Sequence, residues 1–331
     1  MMRLCVIPGD GIGREVVLVA VGALQRLLPE LQVIETQAGW DCFQRSGEVV
    51  PAATLAAMRE CGAGLFGAVS SPTRSVEGYR SAILTLRQQL GLAINLRPVR
   101  SWPLVSPRAG IDMLILRENS EGLYVGRESM LGPDKALAER HISRQASERI
   151  ARFAAQVARQ RSARRITLVH KANVLPLTCG LFRDSCRQIL AERGLDHLVD
   201  ERLVDVAALQ LVERPDAFDI LLTTNLFGDI LSDLACYWSG GLGMAPSLNL
   251  GEGIALAEPV HGSAPDIAGT GQANPLAALL SAALLLRHHW ALPELAERLE
   301  SAVAATLESL GSLELGRSTT LTLEREVLRR L

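Results

Sequence analysis

The stretch Arg3-Leu-Cys-Val-Ile-Pro-Gly-Asp-Gly-Ile-Gly13 decides how this chain folds. Residues 3–7 are a short apolar run that reads as a strand, and residues 15–28 carry helical periodicity stopped by Pro29. Between them Gly9-Asp10-Gly11-Ile12-Gly13 is a glycine turn. Strand, glycine turn and helix in this order invite comparison with the dinucleotide-binding fingerprint GxGxxG. That fingerprint needs a third glycine at 14, and Arg14 stands there. A Rossmann domain is therefore not expected. The turn suits two uses, a sharp bend of the backbone or a close approach to a ligand.

The alternation continues outward. Strands are expected at 32–36, 64–69, 112–116, 165–170 and 218–223. Helices are expected after Pro51 with Leu55, Met58 and Cys61 on one face, over 143–159 with Ile150, Phe153, Ala154 and Val157 inward, and over 181–192 and 228–238. The tail is helical over 276–289, 295–310 and 322–331. This pattern predicts an α/β fold with a largely parallel sheet. No internal repeat or low-complexity linker interrupts it, so a second domain would be an excursion from a continuing core.

The 331 residues are 48 % apolar and 21 % charged, with a formal net charge of −2. Such a chain can bury a large core, which excludes disorder. No basic stripe interleaved with aromatics is present, so no nucleic-acid partner is expected. The most apolar stretch, residues 275–286, is too short to span a bilayer, so no membrane partner is expected either. The first residues run into a strand without a signal-peptide pattern. The six cysteines are scattered, with no CxxC and no histidine at metal spacing, which predicts reduced thiols and a cytoplasmic location. Only two of the 34 basic residues are lysine, Lys135 and Lys171, and only three tyrosines occur, Tyr79, Tyr124 and Tyr237. Coding bias toward Arg, Ala, Leu and Gly accounts for most of this. A lysine retained at a functional position still matters, because arginine cannot replace it in proton transfer.

Four further segments can carry chemistry. Asp229-Ile-Leu-Ser-Asp233 puts two carboxylates on one helix face, where they repel unless a cation sits between them. Oxygen ligands of this kind suit Mg²⁺ or Mn²⁺, and a solvated acidic pair is the plainer alternative. His170-Lys171-Ala172-Asn173 places Lys171 at a strand's end, where ligands of open α/β sheets bind. Lys171 there is either a general base or a side chain snorkelling at a strand edge. Arg87, Arg97 and Arg117 offer guanidinium forks for carboxylates, although in an arginine-rich chain each alone also reads as surface. Glu258-Pro-Val-His261-Gly262-Ser263-Ala264-Pro265-Asp266 is a broken loop with donors and an acid, equally a surface turn. An acid accepting from a ribose 2′-hydroxyl selects NAD over NADP.

In this order the segments resemble one family, the β-decarboxylating dehydrogenases, which include the isocitrate, isopropylmalate and homoisocitrate dehydrogenases. The motifs that carry the resemblance are Gly9-Asp-Gly-Ile-Gly13, Arg117-Glu-Asn-Ser-Glu-Gly-Leu-Tyr124, His170-Lys-Ala-Asn173, Thr224-Asn-Leu-Phe-Gly-Asp-Ile-Leu-Ser-Asp233 and His261-Gly-Ser-Ala-Pro-Asp266. The resemblance implies an α/β, open mixed-sheet, two-domain isocitrate/isopropylmalate dehydrogenase-like fold that is not a Rossmann domain. It implies a cofactor-side domain of residues 1–98 plus 251–331, with a substrate and dimerisation domain, 99–250, inserted. It also implies that Arg87, Arg97 and Arg117 hold the malate part of the substrate. Tyr124 would protonate the enol carbon and Lys171 would take the hydroxyl proton, with Asp205 the third catalytic residue. Asp205, Asp229 and Asp233 would ligate Mg²⁺ or Mn²⁺. Asn173 would lie beside both substrate and nicotinamide. Ile12, Ser70, Glu258, His261, Gly262, Ser263, Ala264, Pro265, Asp266 and Asn274 would face the cofactor. That cofactor is expected to be NAD, because NADP-dependent members carry a Lys-Tyr pair where Asp266 stands. The family further implies a homodimer or a dimer of dimers with shared active sites, Lys171, Asn173 and Asp205 coming from the neighbouring subunit. A rival reading is a regulatory subunit without catalysis. Such subunits lose the tyrosine, the lysine or the metal acids, and this chain keeps Tyr124, Lys171, Asp205, Asp229 and Asp233.

Substrate choice in the family resides in the segment before Arg87. Ser71-Pro-Thr73 followed by Val76-x-Gly78-Tyr79 is most similar to homoisocitrate dehydrogenases. The expected substrate is therefore homoisocitrate, a tricarboxylic 2-hydroxy acid, converted to 2-oxoadipate in lysine biosynthesis via aminoadipate. Isocitrate and 3-isopropylmalate are the alternatives. A distal carboxylate calls for donors, which Ser71, Arg74, Tyr79, Arg80 and Ser81 supply. An isopropyl group calls for an apolar wall, which Ile83 and Leu84 supply. Three features depart from the family. Val206 follows Asp205 where many members have a small or polar residue. Residues 315–318 lack a second glycine. Residues 125–141, an intersubunit arm in the family, show no readable pattern, and Lys135 within them has no assigned role.

Overall fold

A computed structural model describes residues 1–74, 76–315 and 318–331. The expected loop departure at 316–317 lies outside the described residues. The strands are β1 (Arg3–Gly9), β2 (Gln32–Glu35), β3 (Ala63–Ala68), β4 (Ile94–Arg100), β5 (Asp112–Glu118), β6 (Glu128–Met130), β7 (Ala136–Ala138), β8 (Ile166–His170), β9 (Val199–Leu203), β10 (Ile220–Thr223), β11 (Pro246–Leu250) and β12 (Ala255–Pro259). The helices are α1 (Gly13–Leu27), α2 (Trp40–Ser46), α3 (Ala52–Cys61), α4 (Ala82–Gln89), α5 (Arg144–Gln160), α6 (Thr178–Glu192), α7 (Val204–Glu213), α8 (Asn225–Ala235), α9 (Leu276–His288), α10 (Pro293–Leu315) and α11 (Thr320–Arg330).

The chain forms two compact units, Met1–Leu92 with Ser101–Ala109 and Tyr237–Leu331, and Ala93–Arg100 with Gly110–Cys236. The expected cuts at 98/99 and 250/251 compare with 92/93 and 236/237 here. The first unit orders its strands β2-β1-β3-β12-β11, all parallel except the β11–β12 pair. Its core joins Ile7, Met58, Phe66, Leu86 and Leu256, with Tyr79, Phe43 and Ile83 packed against it. The second unit orders its strands β4-β5-β10-β8-β9, all parallel except β4–β5. Each unit is thus a mixed sheet that is largely parallel, as the alternation predicts, with one antiparallel pair.

The elements form where the pattern places their apolar residues. α1 buries Val16, Val17, Ala20, Ala23, Leu24 and Leu27, one stripe at helical spacing, and stops ahead of Pro29. α5 buries Ile150, Ala154 and Val157, while Phe153 is half-buried. Its start is fixed by Ser143, whose hydroxyl accepts from the Ala146 N–H at 3.2 Å. α8 begins at Asn225 and ends at Ala235, so it spans both aspartates of the 229–233 motif. The unread 125–141 segment holds a two-stranded antiparallel ribbon, β6–β7, fully exposed. Among the described residues no helix is long and apolar enough to cross a membrane.

Candidate active site

The glycine turn is a packing device. Gly9 and Gly11 have φ of +73° and +54°, a region glycine occupies without strain. A Cβ at Gly9 would overlap the Ala68 carbonyl oxygen, and one at Gly11 would overlap that of Ser263. The Ile12 N–H donates to Ser263 O at 2.9 Å and the Gly13 N–H to Asp10 O at 3.0 Å. These two donors are thereby committed inside the protein, and Ile12 itself is buried. Arg14, which breaks the fingerprint, donates from Nε to Gly9 O at 3.2 Å and pairs with Asp41. Through Ser263 the turn anchors the 261–266 loop, in which Ala264 holds a left-handed φ of +38°. The loop's Ser263 is buried with its hydroxyl accepting from Ser70 Oγ at 2.8 Å, while Gly262, Pro265 and Asp266 are exposed. His261 Nδ1 contacts Gly262 O at 3.0 Å, and its Nε2 is buried without a protein partner. Burial holds this imidazole's pKa below its ordinary value. Asn274 Oδ1 accepts from the Leu276 N–H at 3.0 Å at the start of α9.

In the same unit, Arg87 of α4 pairs with Glu258 of β12 at 2.9 Å, both side chains about nine-tenths buried. Asn249 Nδ2 donates to the same carboxylate oxygen at 2.8 Å. Removing one partner of such a buried pair costs about 3–5 kcal/mol, because the other charge is left uncompensated. Arg87 Nε is buried and has no protein partner. The guanidinium therefore keeps a donor for a further acceptor.

The second unit gathers five of the singled-out residues. Arg97 of β4 lies 3.4 Å from Asp229 and 3.2 Å from Asp233, supplying the cation the acidic pair requires. Its Nε donates to Asn95 Oδ1 at 2.7 Å, and NH1 donates to Ser232 Oγ at 2.6 Å. Arg117 of β5, 1 % exposed, ion-pairs with Asp229 and donates twice to Asn225 Oδ1, at 3.0 and 2.7 Å. The Tyr124 hydroxyl donates to the second Asp229 oxygen, and its ring lies under the Arg117 guanidinium at 5.0 Å. Partial desolvation, with the Asp229 charge adding, lifts the Asp233 carboxyl above its ordinary value against the pull of Arg97. The turn that presents Tyr124 is organised by buried Glu118, which accepts the N–H groups of Ser120 at 2.8 Å and Glu121 at 3.1 Å.

Lys171 and Asp205 form a separate pair. Lys171 Nζ donates to Asp205 Oδ1 at 2.5 Å from the turn after β8, with Asp205 at the start of α7 and 61 % exposed. The ammonium's hydrogen bond holds the Asp205 carboxyl below its ordinary value. His170 shapes the turn: Nδ1 accepts from the Ala172 N–H at 3.2 Å, so Nε2 carries the proton toward Glu201 at 3.3 Å. Asn173 is exposed beside it. Among the described residues no three Asp, Glu, His or Cys side chains come together as a metal set. Asp229 and Asp233 are together, and Asp205 does not join them.

In the segment before Arg87, Ser71, Arg74 and Arg80 are exposed. The Tyr79 hydroxyl donates to the Ser70 carbonyl at 3.1 Å rather than outward. Ile83 packs against the core, whereas Leu84 is half-buried outside that cluster. Asp10, Asn249 and Asn225 organise these sites without having been singled out. Asp10 and Asn225 lie inside quoted motifs, and Asn249 has no local signal at all.

A mixed α/β fold carrying an arginine-bound acidic pair, a tyrosine and a separate lysine–aspartate pair defines a class of hydroxy-acid dehydrogenases, and the comparisons agree. Residues 3–322 match the model of the isocitrate/isopropylmalate dehydrogenase family. The chain is 49 % identical over 306 residues to the isocitrate/homoisocitrate dehydrogenase of Thermus thermophilus, covering 92 % of this chain and 91 % of that one. It is 44 % identical over 333 residues to the 3-isopropylmalate dehydrogenase of Methanothermobacter thermautotrophicus, covering 100 % and 98 %. The crystal structure of isocitrate dehydrogenase from Methylococcus capsulatus matches with a TM-score of 0.93 at 38 % identity, covering 100 % of this chain and 99 % of that one. The chain belongs to the isocitrate/isopropylmalate dehydrogenase family.

Proposed function

We propose that this chain oxidises and decarboxylates a 2-hydroxy acid bearing a malate unit, with homoisocitrate as the substrate. The observation that carries the reading is the gathering of Arg97, Arg117, Tyr124, Asp229 and Asp233 on one carboxylate pair. Regulatory subunits lose the tyrosine, the lysine or the metal acids, and Tyr124, Lys171, Asp205, Asp229 and Asp233 are all kept here.

The residues fit the two cofactors the family implies. Asp229 and Asp233 present carboxylate oxygens, the donors of a hard divalent cation. Among the described residues no third acid joins them, and in this reading Asp205 of a second copy completes the set. Exposed Leu209 and Val212 on α7 and Ile230 on α8 give that copy an apolar face to cover. On the nucleotide side, the orphaned buried Nε2 of His261 awaits a partner, and exposed Asp266 suits a ribose 2′-hydroxyl and therefore NAD. Bound NAD supplies the hydride acceptor, and bound Mg²⁺ or Mn²⁺ supplies a Lewis acid that lowers the hydroxyl's pKa.

The protein's own groups do the rest. Arg97 and Arg117 neutralise substrate carboxylates. Lys171 accepts the hydroxyl proton as hydride leaves C2. Tyr124 returns a proton to carbon after CO₂ departs. Exposed Arg74 and Arg80 favour an acid with a distal carboxylate. Half-buried Leu84, one helical turn before Arg87, favours 3-isopropylmalate as the second reading. A panel of homoisocitrate, isocitrate and 3-isopropylmalate with NAD and Mg²⁺, read as NADH absorbance, tests both. The expected result is highest kcat/KM on homoisocitrate, selectively reduced in Arg74→Ala or Arg80→Ala. An unchanged substrate ranking in both variants would remove the distal-carboxylate reading.

A further inference from the structure

Ser70 opens the segment to which the proposed function assigns substrate choice, and both sides of its peptide are gripped. Its N–H donates to Asp10 Oδ2 at 2.9 Å, and its carbonyl accepts the Tyr79 hydroxyl at 3.1 Å. Asp10 is 2 % exposed, and its carboxylate also takes the backbone N–H groups of Trp40 at 2.8 Å and Asp41 at 3.0 Å, the first turn of α2. The rings of α2 return to Tyr79, Trp40 edge-on at 5.2 Å and Phe43 at 5.4 Å. Ser70 and Tyr79, the two ends of the 70–79 segment, are thereby tied to each other, to one buried carboxylate and to one helix. Ser71 and Arg74 stand exposed within the closure, and Arg80 stands exposed just beyond it.

The Tyr79 hydroxyl is committed to backbone, so its influence on the substrate runs through the loop's shape. We propose that Tyr79 is a specificity-positioning residue: by closing the 70–79 loop against Asp10 and the α2 rings, it fixes the donors that discriminate the substrate's variable group. The inference rests on the dehydrogenase reading above. It adds that discrimination depends on a clamp in which the Trp40, Phe43 and Tyr79 rings pack on one another and Asp10 ties the backbone of Ser70 to that of α2. Opening the clamp frees the discriminating side chains and leaves Arg97 and Arg117, which hold the common malate unit, untouched. A neutral hydrogen bond shifts such an equilibrium by about two- to tenfold.

The test uses the full chain with NAD, Mg²⁺ and the three acids named above. Tyr79→Phe keeps the ring and removes the hydroxyl. Trp40→Leu loosens the same clamp from the other side. Limited trypsin digestion, followed as the rate of cutting after Arg74, reads loop closure without any substrate. In Tyr79→Phe the kcat/KM ratio between the preferred and second acids should fall about fivefold, with cutting after Arg74 faster by a similar factor. Trp40→Leu should move both readings the same way. Equal loss on all three acids, which a merely structural role would give, overturns the proposal. Unchanged ratios overturn it too, and so does a changed ratio with unchanged cutting, which would put the hydroxyl on the substrate itself. If the unmodified chain reduces NAD with none of the acids, the dehydrogenase reading fails first. If it is active and the variants keep its ratios, only the Tyr79 proposal fails.

Discussion

Two ionic clusters of the second unit carry their charge in opposite ways. Around Asp229, guanidinium groups from β4 and β5 interlock with Tyr124, Asn225 and Ser232, and Arg117 is almost completely buried. Lys171 and Asp205 instead hold each other at the surface, flanked by exposed Val174, Leu175 and Val206. The first cluster is preorganised by folding, so its donors need no rearrangement to meet an anion. The second is open, and the apolar side chains around it stay exposed among the described residues. The two groups assigned to proton transfer, Tyr124 and Lys171, thus belong to separate clusters. In the proposed reading, an active site containing both draws one of them from a second copy.

The largest expected effect lies in the open cluster. Lys171→Met should lower turnover by about 10²–10⁴-fold while circular dichroism stays unchanged, because an exposed ion pair adds little to stability. Near-normal turnover would end the assignment. A half-buried imidazole in the first unit gives the next effect. Burial, with Arg287 adding, lowers the His288 pKa from 6.5 to about 4. A depressed imidazole pKa means that the unfolded chain takes up the proton first as pH falls. The His288 contribution is therefore intact above pH 6.5 and is lost between pH 6.5 and 4, by about 3 kcal/mol. Urea midpoints measured across that range should decline, and His288→Asn should flatten the decline. A variant that keeps the full slope would assign it to other groups.

Packing of the closed cluster predicts the next effect. A Cβ at Gly228 would stand 2.6 Å from Arg117 Cγ and 2.7 Å from its Cβ. Gly228→Ala should cost about 2 kcal/mol by urea unfolding and raise the substrate KM. A neutral result would mean that Arg117 has room to move. The smallest effect on the stability of a single chain is expected at Ile230, 59 % exposed on α8. Ile230→Glu should change it by less than about 0.5 kcal/mol. Sedimentation should nonetheless show copies coming apart, and an assembly that persists would place the contact elsewhere.

Legibility in the sequence follows the same division. Local spacing showed the glycine turn, the aspartates one helical turn apart on α8 and the lysine at the end of β8, because each lies within one strand–turn–helix unit. What spacing could not show is contact across the chain. Arg87 meets Glu258 across 171 positions, and Trp40 meets Tyr79 from another element. β11 and β12 were missed because both are buried throughout and so lack the alternation of a half-exposed strand. β4 carries Pro98 in its middle, which argues against a strand, yet it pairs with β5 along its whole length. The ribbon β6–β7 is exposed on every residue and leaves no apolar period to read.

The shared site is tested most directly by a hybrid of two inactive variants, Lys171→Met and Asp229→Asn, isolated through different affinity tags. If each site takes Lys171 from one copy and Asp229 from the other, one of the hybrid's two sites is intact, and the hybrid should regain about half the unmodified turnover. A hybrid as inactive as its parents would show that each chain completes its own site, contrary to the proposed sharing.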